Sequence, residues 1–250
     1  FAESLMDLNP WKLWSRAGAP GRGTEEIVET LERVLAKDAN HPGANHYYIH
    51  AVEASPHPER AVPSAERLAA LMPGAGHIVH MPAHIFQRVG RYAEASEHNR
   101  KAIEADLAYL SKVKPWGYYA MYLGHNYGFL AYSASMEGRS GESLSAAREA
   151  AKALPANMLE MMPGMDFFAA EPLLAMVRFG KFDALLAEPR PDPRYPVATA
   201  FWLHGHGMAL ADKGRYDEAL ADHAELVKLL LELKSETRAG NNRAGDVIEV

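Results

Sequence analysis

The chain has 250 residues, 48% hydrophobic and 23% charged, enough for one large core or an elongated repeat array. A net charge of -6 without a basic block excludes the electrostatic footprint of a nucleic-acid binder, and no apolar run approaches the roughly 18 to 20 residues of a membrane span. With no cysteine, disulfides, thiol nucleophiles and thiolate metal sites are excluded too. The covered chain therefore reads as soluble, cytoplasmic or periplasmic. It opens on Phe1 rather than Met, which implies processing or a longer protein and leaves a targeting segment ahead of Phe1 open.

In chain order, Asn9-Pro10-Trp11-Lys12-Leu13-Trp14 is an aromatic-anchored segment, followed by the breaker cluster Gly18 to Gly23. Residues 1–23 are therefore expected to form a short helix and a loop. Thr24 is the expected N-cap of the next helix, with Glu25 and Glu26 in its first turn and Ile27, Leu31, Val34 and Leu35 along one face. After the Asn40 to Gly43 loop, amphipathic segments alternate with short breakers to about residue 234, and no stretch alternates with period two. The fold class is all-α. Residues 1–42 are expected to cap an array over 43–234, with the polar stretch 235–250 as a flexible tail.

The segments repeat. Gly90-Arg91-Tyr92 superposes on Gly214-Arg215-Tyr216, with Ala95 on Ala219. Gly180-Lys181-Phe182 is a third copy ahead of Gly214, and the interval from Gly180 to Gly214 equals the one from Ala61 to Ala95. That shared interval matches the tetratricopeptide period of about 34 residues. On these residues, with Ala102 and Gly138-Arg139, the chain resembles the tetratricopeptide repeat (TPR) family. The resemblance implies a right-handed α-solenoid of helical hairpins, about five units long, whose first helices line a concave groove. The pattern departs from the family at Pro56, where a glycine is expected, and in the stretched spacings from Gly90 to Gly138 and from Gly138 to Gly180. The insertions fall at Ser111 to Gly117 and Leu154 to Gly164.

Two histidine-bearing segments stand one after the other: His46-Tyr47-Tyr48-Ile49-His50 and His77-Ile78-Val79-His80-Met81-Pro82-Ala83-His84. In repeat register His46 falls on His80 and His50 on His84, while His204 joins the first position and His125 falls on His77. Spacings of three and four keep each set on one helical face. Glu53 extends that face as an oxygen ligand, and Gln87 is its counterpart in the following unit. Tyr132 matches the position of His50 and His84, and Met208 and His206 lie close enough to His204 to join the groove lining. His41, His57, His98 and His223 are set aside as ordinary polar or packed residues. Pro82 removes an N–H inside the His77 to Gln87 helix and should kink it.

Imidazoles and a carboxylate bind divalent metals at roughly 2.0 to 2.2 Å, so His46, His50, His77, His80, His84, His125, His204 and Glu53 form a candidate metal set for zinc, iron or copper. Met81, Met121 and Met208 add a case for copper. The His-Glu-x-x-His signature is absent, as are a phosphate-binding loop, a serine elbow and a dinucleotide fingerprint. Two readings stand at this level. One is a metalloprotein, or a metal-dependent oxidoreductase or hydrolase, acting on a small molecule in the concave groove. The other is a non-catalytic TPR scaffold that holds a peptide or protein partner there.

Overall fold

The computed structural model describes residues 1–113, 118–153, 164–240 and 242–248. These form two compact units, Phe1–Lys114 and Pro115–Val250. The described residues are mostly helical with almost no strand, and within each unit the helices pack against their neighbours in sequence. Among them no helix is long and apolar enough to cross a membrane.

In the first unit the helices are α1 (Ala2–Asp7), α2 (Thr24–Lys37), α3 (Pro42–Val52), α4 (Val62–Leu71), α5 (Gly76–His80), α6 (Pro82–Arg88) and α7 (Tyr92–Leu110), with a 3-10 turn at Pro58–Ala61. The apolar stripe of α2 buries Ile27, Val28 and Leu31, and α3 answers with Tyr48, Ile49 and Val52. Small residues set the close approaches: Ala61, Ala65, Ala95 and Ala102 are fully buried where helices meet. Thr24 is not the cap of α2. Gly23 takes that position with a left-handed backbone (φ 80°), and the Thr24 hydroxyl instead donates to the Leu13 carbonyl at 2.7 Å. The hydroxyl is thus used to pin the N-terminal loop. Trp14 adds a second pin by donating its indole N–H to the Ala51 carbonyl of α3 at 2.7 Å. Pro56, where the repeat pattern expects glycine, packs beneath Gly18 of the same loop.

The second unit contains α8 (Tyr118–Met136), α9 (Ser140–Ala153), α10 (Phe167–Arg178), α11 (Phe182–Ala187), α12 (Pro196–Asp212) and α13 (Tyr216–Glu232). Leu173, Met176, Leu185, Trp202, Leu203 and Ala209 form a buried cluster among α10, α11 and α12. In the stretch expected as a flexible tail, Arg238–Ala239 (β1) pairs antiparallel with Asn242–Arg243 (β2), and a short helix α14 (Ala244–Ile248) follows. Ala239 and Ala244 are buried with Val197. Of the two insertions, residues 114–117 and 154–163 lie outside the described residues.

The glycines of the repeat share one turn chemistry. Gly90, Gly138, Gly180 and Gly214 all have φ between 59° and 79°. After each, the following residue donates its N–H back to the carbonyl five positions earlier: Arg91 to Phe86, Arg139 to Ala134, Lys181 to Met176 and Arg215 to Leu210. This is a Schellman stop, and its left-handed position is open to glycine at no steric cost. Arg91, Arg139 and Arg215 then pair with the glutamate three residues on, in the first turn of the next helix. The sequence Gly-Arg-x-x-Glu therefore ends one helix and starts its partner.

Candidate metal centre

The site begins with how α3 starts and stops. Pro42 occupies the first turn, where a missing N–H is harmless, and the His41 ring caps the helix by accepting the Ala44 N–H at 3.1 Å. His46 and His50 then stand one turn apart, and Glu53 follows as the C-terminal cap residue. Opposite them, Pro82 does more than kink a helix. It divides the stretch into α5 and α6, with Met81 between them and Pro82 in the first turn of α6. His77 and His80 lie on α5, His84 on α6, and both helices pack on α7.

The predicted residues of this unit come together. His46 Nε2 and His77 Nε2 are 3.1 Å apart. Ring centroids separate by 5.0 Å for His46 and His50, 5.0 Å for His50 and His84, and 4.8 Å for His80 and His84. Two donor groups result, His46 with His50 and His77, and His50 with Glu53 and His84; within each, one ligand atom per residue lies within 4.8 Å of the others. Tetrahedral ligands at about 2.0 to 2.1 Å from an ion sit about 3.3 Å from one another, so the His46 to His77 separation is close to an edge of such a site.

The carboxylate orients the rings. Glu53 Oε1 lies 2.8 Å from His50 Nδ1 and Oε2 lies 2.6 Å from His84 Nδ1. Burial alone would raise the Glu53 carboxyl, but His84, then the hydrogen bond from His50, hold it far below the usual range. An ionised carboxylate only accepts, so both Nδ1 atoms carry a proton and donate it to Glu53, and Nε2 is the nitrogen of each ring through which it could ligate an ion. His80, fully buried, is fixed in the same way. Asn99 gives its amide N–H to the Ala95 carbonyl at 2.8 Å, which presents its oxygen to His80 Nδ1 at 2.7 Å. Such backing of a ring's second nitrogen is what metal-binding histidines use.

Electrostatics keep the outer pair neutral. Burial, then the neighbouring His50 and His84, lowers His46 from 6.5 to about 4, and burial with His46 beside it lowers His77 to about 3. Near neutral pH both rings are uncharged, the state in which imidazole binds a cation.

The remaining predicted residues are on α6, α8 and α12. Gln87 is on α6, a turn beyond His84, and half-buried. His125 and Tyr132 are on α8 and His204, His206 and Met208 on α12, all in the second unit. His206 stacks on Trp202 at 4.2 Å and donates to Asp222 at 2.7 Å. His204 and Met208 line an apolar cavity of about 480 Å³ with Tyr216, Leu220 and His223. Met81, weighed for copper, is fully buried core. Two residues that the sequence reading did not single out belong to the site's surroundings: Asn99, whose signal is a helix-disfavoured residue deep in α7, and Trp11, whose ring meets His50 edge-on at 6.1 Å. No protein-family model matches the chain, and no curated protein is significantly similar to it.

Proposed function

We propose that this chain is a TPR-like superhelical protein whose first helical unit binds a divalent transition-metal ion (zinc, iron or copper) among His46, His50, His77, His80, His84 and Glu53. The observation that carries this reading is the pair of donor groups sharing His50, each with its ligand atoms within 4.8 Å. Neutral imidazoles and an ionised carboxylate supply the right donors for such an ion. The repeated Schellman glycines and the packing of successive helices support the superhelical reading, which would place the site in a concave groove accessible to a small substrate. Three of these side chains would hold the ion, which would supply Lewis-acid chemistry toward water or, as iron or copper, redox chemistry.

The first test is thermal. An ion bound only by the folded chain raises stability by about 2.7 kcal/mol at a hundredfold excess over its Kd. For a chain of this size that is a rise of roughly 5 to 10 °C in melting temperature, growing with metal concentration. Melting curves with zinc, and with the His80→Ala/His84→Ala variant, check this: the variant should lose most of the rise. A zinc response identical in both proteins contradicts the assignment.

A further inference from the structure

Trp11 is held against its own backbone preference. Lys12 donates its N–H to the Asn9 carbonyl at 3.1 Å, closing a turn with Pro10 and Trp11 at its centre. Trp11 has φ 62°, the only non-glycine residue with a positive φ among those described. The second central position of such a turn normally takes glycine or asparagine, and a bulky side chain there is strained. Nothing in the core compensates, because Trp11 is 71% exposed. The turn is nevertheless fixed in place on both sides. Asn9 donates to the Arg22 carbonyl, and Leu13 is buried with its carbonyl held by Thr24 and the Gly21 N–H. The strained indole is thereby delivered beside His50, edge-on at 6.1 Å, at the less buried end of the histidine cluster. Tyr47 flanks the same end, its ring 4.8 Å from His46 and its hydroxyl donating to Glu3.

We propose that Trp11 is a ligand-binding residue: an aromatic platform at the mouth of the histidine cluster for a small planar molecule that carries an anionic oxygen donor, such as an aromatic carboxylate. This rests on the metal-binding reading above. The oxygen would take the position left on the ion while the ring packs on the indole, a geometry that strain outside the core is suited to preserve. A residue kept for packing would be buried and would sit in a relaxed turn; Trp11 is neither.

The test compares benzoate with acetate, which share the carboxylate and differ in the ring, by ligand-detected NMR on zinc-loaded protein. Benzoate is expected to bind the unaltered chain at least about fivefold more tightly. Trp11→Gly should bring that ratio near one while acetate affinity, zinc content and melting temperature hold or, for the last, rise as the strain is released. Trp11→Phe should keep part of the preference. A ratio near one in the unaltered chain, a ratio unmoved by Trp11→Gly, or a Trp11→Gly protein that loses zinc or melts lower each overturns the proposal. Zinc content reports separately on the metal reading. A chain that takes up no zinc contradicts that reading, and the ratio, then measured on the metal-free protein, still decides the role of Trp11.

Discussion

Glu53→Gln is expected to weaken metal binding about 10- to 100-fold while leaving every imidazole in place. The carboxylate offers an acceptor to each of two rings, His50 at 2.8 Å and His84 at 2.6 Å. Glutamine has nearly the same shape but only one acceptor, so one ring would face an amide donor. That ring must move its proton to Nε2 or turn away, and in either case it ceases to be a ligand. The substitution also removes the negative charge of Glu53 from beside His50 and His84, and with it part of the attraction for a dication. Competition of zinc against a chromophoric chelator measures the loss. Equal affinities in the two proteins would mean that Glu53 neither orients nor ligates.

Gly76→Ala is expected to destabilise the chain by about 1 to 3 kcal/mol and to lower metal affinity with it. Gly76 opens α5, and a Cβ there would fall 1.8 Å from Oδ1 and 2.4 Å from Cγ of Asp106 on α7. Asp106 is fully buried, so its carboxyl has no free space to retreat into. Either α5 lifts from α7 or the carboxyl is displaced. Because His77 is the next residue, the first outcome also opens its 3.1 Å approach to His46. Denaturant unfolding midpoints together with zinc affinity check both effects. A variant as stable as the unaltered chain would show that the α5 to α7 contact is not a tight one.

What could be read ahead of the coordinates was local. The left-handed glycines at 90, 138, 180 and 214 follow from a turn whose chemistry is contained in the few residues around each, and helical spacing alone puts His46 with His50, and His80 with His84, on common faces. The shared repeat spacing brought those two pairs into one neighbourhood. What could not be read depends on long-range contacts. Thr24 has every local qualification for an N-cap, but the Leu13 carbonyl, brought beside it by the loop, takes its hydroxyl. Glu53 was legible as one more ligand on the α3 face; its place between His50 and His84 exists only because α6 packs there. Asn99 reaches His80 from α7, the next helix but one, and nothing in the local pattern of either helix signals the pair. Trp11 was legible as part of an aromatic segment, whereas its positive φ and its place beside His50 require the turn and the loop anchors together.

The most direct measurement is the metal content of protein purified without an affinity tag, followed by titration of the stripped chain. Bound ions at about one or more per chain, restored after chelation and lost together in His46→Ala/His77→Ala, are predicted. Less than about 0.1 ion per chain, with no uptake of zinc, iron or copper on titration, would contradict the account.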